Sequence, residues 1–90
     1  MTAPTAPQEQ EVGKVSHYYG HVGVMAVDLT EAIHVGDTLH VRGHSEDFTL
    51  TVDSMQIEHE EVAEGKAGDS VGIRVTQKVH PGDRVFRIVS

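Results

Sequence analysis

The sequence predicts an all-β fold, a small closed or nearly closed barrel of about six short strands. Three observations carry the prediction. No stretch of about 11 residues or more repeats its apolar positions with the 3.6-residue period of an amphipathic helix. Several short runs alternate apolar and polar residues, as half-buried strands do. Glycine occurs nine times, and three Gly-Asp pairs, Gly36-Asp37, Gly68-Asp69 and Gly82-Asp83, each lead into an alternating run. Closure follows from the valine content, because an open sheet of such strands leaves unpaired edges that recruit other chains.

The bounds are narrow. A chain of 90 residues and 9.8 kDa folds as one domain and buries about 60% of the surface its unfolded chain exposes. A deep catalytic cleft is not expected at that size. With no cysteine, neither disulfides nor thiolate metal sites supplement the core, which must hold by apolar packing and strand pairing. The net charge of −7 argues against nonspecific duplex binding, which depends on many cations displacing counterions. The sequence shows no signal peptide and no apolar span of about 18 residues. The expectation is a cytoplasmic protein with no membrane association.

Along the chain, "MTAPTAPQEQ" has two prolines and no apolar period, so residues 1–11 are expected to be a disordered tail and residues 12–90 a single barrel domain. "VGKVSHYY" and "VGVMAVDL" are rich in valine and tyrosine, and Gly20 between them marks a reversal: a first hairpin. In the second of these runs both phases are apolar or small, which predicts burial on both faces. "DTLHVR" sets Leu39 and Val41 on one face, and "GHSED" follows as a turn. Phe48, Leu50 and Val52 share one phase while Met55 and Ile57 share the other, so a β-bulge or sharp bend is expected at Asp53-Ser54. "EEVAEGKAGD" reads as a turn segment, and "SVGIRV" places Val71, Ile73 and Val75 together. In the last run Val85 and Val89 stand in one phase, Phe86 and Ile88 in the other.

The Gly-Asp pairs admit two readings. Asp37, Asp69 and Asp83 would supply oxygen ligands to a hard cation if they converged. Alternatively each Gly supplies a positive φ and each Asp accepts bonds from nearby backbone N–H groups, ending a loop and starting a strand. Their unequal spacing and identical local context favour turn chemistry, and no metal is expected. His17 and His21 would share a face only on a helix, which Gly20 and the β pattern exclude. His59 lacks a second histidine four residues on, where Ala63 stands. His59 with Glu58, Glu60 and Glu61 reads as a solvated rim. There is no phosphate loop, no nucleophile elbow and no cysteine nucleophile. The chain is therefore expected not to be an enzyme and to carry no cofactor.

"IHVGDTLHVRG", "TVDSMQIEHEEVAEGKAGDSVGIRV" and "VHPGDRV" resemble, in order and spacing, the second domain of translational GTPases such as elongation factor Tu and initiation factor two. The first hairpin, together with "GHSEDFTLTVDSMQIEHEEV", looks like the stand-alone translation elongation factor-like proteins and the barrel appended to collagenase-like bacterial peptidases. The resemblance implies a six-stranded Greek-key barrel with a binding role and, the GTPase domain being absent, no GTP binding by this chain. It places Gln56 where elongation factor Tu has a glutamate beside the terminal adenine of tRNA. Gln56 keeps hydrogen-bonding capacity but no charge. Met25-Ala26 stands in place of the Thr-Gly of that domain's first hairpin. Two partners are in view. An RNA- or ribosome-associated barrel would use Lys14, Tyr18, Tyr19 and Arg74 with Gln56, aromatic rings stacking on bases and cations meeting phosphates. A protein-interaction barrel would instead dock on an enzyme subunit such as a collagenase-like peptidase, its acidic rim suiting a basic surface.

Overall fold

A computed structural model describes residues 8–89, and these residues form an all-β structure without a helix. Consequently no helix long and apolar enough to cross a membrane occurs among them. Ten strands appear: β1 (Gln8–Tyr19), β2 (Val24–Leu29), β3 (Ile33–His34), β4 (Thr38–Arg42), β5 (Asp47–Thr51), β6 (Met55–Ile57), β7 (Glu60–Val62), β8 (Glu64–Gly65), β9 (Ser70–Arg74) and β10 (Arg84–Val89). The excess over about six consists of the short pieces β3, β6, β7 and β8, which lack the length to show a period in sequence. Two of them, β7 and β8, lie in the segment expected to be a turn.

One sheet runs β5-β4-β10-β1-β2-β9-β6-β7, and β3 pairs with β8 in a second, two-stranded sheet. Every recorded pairing is antiparallel. Five strands separate β5 from β6 in the large sheet, about 29 Å if it were flat. Yet only Val52, Asp53 and Ser54 connect them, a span of at most about 14 Å between Thr51 and Met55. The sheet must therefore curl until its two ends approach, which makes the molecule barrel-like. Backbone bonds across the gap hold the curl: Gly36 N to Val52 O and Val52 N to Asp37 O, both 2.9 Å, and Val35 N to Ala63 O, 2.9 Å. The change of apolar phase at Asp53-Ser54 is thus a break where the chain leaves one end of the sheet and joins the other.

Curling gives the sheet one inside. Met25, Val27, Leu39, Val41, Val71, Ile73 and Val85 fill it with Val52 and Met55, all essentially inaccessible to solvent. The β2 strand alternates fully buried Met25 and Val27 with half-buried Val24 and Ala26, so it is covered on one face and not on both. Its apolar outer residues line a surface. Phe86 and Ile88 of β10 are likewise half-buried opposite fully buried Val85.

The strand β1 begins at Gln8, inside the segment expected to be tail; residues 1–7 lie outside the described residues. Gln8, Glu9, Gln10 and Glu11 pair with Val89, Ile88, Arg87 and Phe86, and such backbone pairing is blind to the polar composition that suggested a tail. The register of β1 slips twice, around Val12 against β10 and around Ser16 against β2. The first slip lets Val12 and Val15, three apart, both point inward. Ser16, the extra residue of the second slip, donates its hydroxyl to Ala26 O at 3.3 Å.

All three Gly-Asp pairs close the same turn. Asp37 N, Asp69 N and Asp83 N bond to the carbonyls of His34, Lys66 and His80 at 3.0, 2.9 and 3.1 Å. In return, His34 N, Lys66 N and His80 N donate to the Asp Oδ2 atoms at 2.8, 3.0 and 2.9 Å. Gly36, Gly68 and Gly82 carry φ of 98°, 94° and 95°, the positive value the third position of a type II turn requires. Each aspartate therefore serves its own turn.

His40 on β4 clasps two other strands, its protonated ring donating from Nδ1 to the Glu9 carboxylate of β1 at 2.5 Å and from Nε2 to the Asp47 carboxylate of β5. The Asp47 bond raises its pKa above the ordinary 6.5, partial burial opposes this, and Glu9 adds to the rise. A raised histidine pKa means the folded state holds the proton more tightly than the unfolded chain. This stability is fully present below about pH 6.5 and is lost as pH rises through the raised value. The urea midpoint of the wild type is expected to fall between pH 6 and pH 9, and the His40→Gln midpoint to fall less over the same interval.

Candidate functional site

Cross-strand register places the sequence-predicted binding residues. Tyr19 pairs with Val24, and Val24 with Arg74. In the next outward-facing row His17 pairs with Ala26, Ala26 with Gly72, and Gly72 with Gln56. Directly paired residues share a face with their Cβ atoms about 5 Å apart, so Tyr19 and Arg74 stand about 10 Å apart across half-buried Val24. The outer face of β1-β2-β9-β6 is thus a shallow floor of Val24, Ala26 and Gly72 rimmed by Tyr19, His17, Arg74 and Gln56. The His17 and Tyr19 rings stack, centroids 5.8 Å apart and planes inclined by 11°. Val22 at 57% exposure and Tyr19 at 44% extend the apolar surface at the β1–β2 turn.

Two of the predicted residues separate from this group. Tyr18 pairs with Met25, and Met25 with Ile73, in the row that faces the core, and Tyr18 packs against that core. Adjacent strand residues alternate faces, so Tyr18 and Tyr19 do not form one aromatic platform. Lys14 is exposed but pairs with Asp28, about 13 Å along β2 from the row of Tyr19.

A groove of about 740 Å³ opens elsewhere, between the β4–β5 turn and the turn before β10. Arg42, Arg84 and Phe86 line it together with Glu46, His80 and Asp83. The Phe86 ring lies under both guanidinium groups, 5.7 Å from that of Arg42 and 5.3 Å from that of Arg84, within cation–π range. Arg84 also grips Glu11 in a two-pronged bond of 2.9 and 2.8 Å. That bond holds the Glu11 carboxyl below the usual carboxylate range and raises Arg84.

In the same groove Asp83 is 4% exposed and the Glu46 side chain 10%. Glu46 Oε2 lies 2.9 Å from His80 Nδ1. Glu46 Oε1 is buried with no donor as long as both carboxyls are ionised. Burial first, and then the bond to Glu46, push the Asp83 carboxyl above its usual range, while the bonds to Asp83 and then His80 hold Glu46 below its own. Each of the three side chains offers an atom within 4.8 Å of the others. Asp37 and Asp69 belong to no such group among the described residues. Glu46 and His80 are 34 positions apart and carry no spacing signal; sequence reasoning left both out.

The fold and these two surfaces define a small all-β, barrel-like domain. The chain is similar to part of an uncharacterized protease of Methanocaldococcus jannaschii, 35% identical over 77 residues that cover 84% of this chain and 19% of the protease. It is also similar to part of a collagenase of Porphyromonas gingivalis, 27% identical over 82 residues, 89% of this chain and 23% of the collagenase. The chain therefore spans about a fifth of these curated relatives. The crystal structure of the C-terminal domain of a protein described as a U32 peptidase from Geobacillus thermoleovorans superposes with a TM-score of 0.82 at 20% identity, covering 87% of this chain and 91% of that domain. Its selenomethionine variant gives a TM-score of 0.81 at 20% identity, covering 84% and 96%. No protein-family model matches the chain. The peptidase side of the sequence resemblance gains support from these relatives, and the translation-factor side does not.

Proposed function

We propose that the chain is a non-catalytic accessory barrel that docks on a peptidase-type enzyme through the outer face of β1-β2-β9-β6. The observation that carries this reading is its similarity to a fifth of two longer proteins named as a protease and a collagenase, and to a separately folded C-terminal domain. The face supports it physically: a floor of small and apolar residues with a tyrosine and an arginine at its rim combines the side chains that dominate protein interfaces. The net charge of −7 favours a partner surface of positive potential. RNA binding would draw on Tyr19 and Arg74 in the same row but without Tyr18 beside them, which weakens stacking of successive bases.

The test is affinity capture from lysate of the source organism, with and without nuclease, using the wild type and the double variant Tyr19→Ala, Arg74→Glu. Both side chains are exposed, so the variant should fold with stability within about 1 kcal/mol of the wild type. A peptidase retained after nuclease and lost with the variant is the expected result. Capture that nuclease abolishes would replace this reading with the RNA-associated one, and a peptidase held equally by the variant would remove the assignment of the face.

A further inference from the structure

We infer that Glu46, His80 and Asp83 form a binding site for one divalent transition-metal ion, of the zinc type, in the groove between the β4–β5 turn and the turn before β10. The donors come from two stretches of chain, Glu46 from the β4–β5 turn and His80 with Asp83 from the turn before β10, and converge to within 4.8 Å. Convergence of acids alone would mean little. Here the Glu46 side chain is nine-tenths buried and its Oε1 has no donor while Asp83 is ionised. Two nearly buried carboxylates meeting face to face repel, and something positive must stand between them. A proton on Asp83 is one solution, and a cation held also by His80 is the other.

Four features favour the cation. His80 Nδ1 points at the same carboxylate, 2.9 Å from Glu46 Oε2, so an imidazole nitrogen joins the two carboxylates in one donor set. One nitrogen and two oxygens suit zinc or manganese better than calcium or magnesium, which favour all-oxygen shells. Asp83 is oriented in advance, because its Oδ2 accepts the His80 backbone N–H at 2.9 Å, and such outer bonds fix the direction of a ligand. Gly43 leaves room for the group, since a Cβ there would overlap Asp83 Oδ1. Finally, the site opens on a groove of about 740 Å³, which admits water to complete the tetrahedral shell that three protein ligands leave unfinished.

The experiment is calorimetric titration of the intact chain with zinc chloride at pH 7.5, repeated with magnesium and calcium chloride, alongside thermal unfolding. One equivalent of zinc is expected to bind, magnesium and calcium to bind at least tenfold more weakly, and excess zinc to raise Tm by roughly 5 °C or more. Six other histidines can bind zinc adventitiously, so His80→Ala and Glu46→Gln decide the location. The His80 side chain is half exposed and its turn is closed by backbone atoms, so His80→Ala should fold normally. Each variant is expected to weaken zinc binding at least tenfold and to abolish the Tm shift. Absence of saturable zinc binding in the wild type, or binding that survives both substitutions, would overturn the inference. Neither result depends on the docking face, which lies on other strands.

Discussion

Replacing Ile73 with alanine is expected to cost about 2–5 kcal/mol of folding free energy and to lower Tm by roughly 10 °C or more. Ile73 sits on β9 between Met25 of β2 and Met55 of β6, and all three are fully buried. The row they make spans three strands of the curled sheet. Truncating its middle member removes apolar contact on both sides at once and leaves a void that methionines fill only in part. A small domain has about 5–15 kcal/mol of stability in total, so this one change consumes a large share of it. Ile73→Val, which deletes a single methyl-sized group, should cost only about 0.5–1.5 kcal/mol. Urea unfolding of the two variants checks the ordering, and a loss under about 1 kcal/mol for the alanine variant would show that the row is not central to the core.

Gly13→Ala is expected to destabilise by about 2 kcal/mol or more, as overpacking without relief does. Gly13 belongs to both ladders of β1, paired with Val85 on one side and Leu29 on the other, beside the slip at Val12. A Cβ there would overlap the carbonyl oxygen of Asp28 and stand 3.0 Å from Val27 Cγ1. Backbone cannot swing aside as a side-chain tip can, so relief would require moving β2. Gly72→Ala is the matched control: it also replaces a strand glycine, but its Cβ would meet only Val24 Cγ1 at 3.4 Å and the Gln56 carbonyl oxygen at 3.9 Å. Its stability should stay within about 1 kcal/mol of the wild type. Thermal unfolding of both variants is the measurement, and equal losses would refute the close approach at Gly13.

Alternation made the long elements legible in sequence. Leu39 with Val41 and Val71 with Ile73 were each set on one face by the period of a strand, and that face is the buried one. The first hairpin was marked by its valine and tyrosine runs, although the residue that turns it with positive φ is Gly23, not Gly20. The β6–β7 hairpin was illegible for a chemical reason. Its two turn residues, Glu58 and His59, have φ of 51° and 68°, a conformation that usually selects Asn-Gly. Side chains with a Cβ enter it at a cost of about 1–2 kcal/mol each, so nothing in "IEHEEV" announces the reversal. The burial of β2 on both faces was over-read because small apolar residues suit an outer contact surface as well as a core.

The candidate sites were legible to different degrees. Tyr19, Gln56 and Arg74 were named from sequence, and the register sets them around one floor. Tyr18 was named with them and faces inward, since its neighbour already occupies the outer face. Glu46 and His80 were not named, because their partnership exists only where the β4–β5 turn meets the turn before β10.

By itself the sequence determined what local chemistry decides. The period of two set the all-β class, and the three Gly-Asp pairs closed three turns, because a positive φ and an aspartate oxygen three residues from an N–H act within a few residues of chain. The tertiary structure alone decided which strands became neighbours. Only the curl forced by the short link between β5 and β6 chose the inner and outer faces, and only strand pairing across the barrel brought Arg74 level with Tyr19. The same Gly-Asp motif accordingly ends in two situations: at Asp37 and Asp69 it is a turn and nothing more, whereas at Asp83 a distant glutamate, delivered by the fold, turns it into one wall of a site.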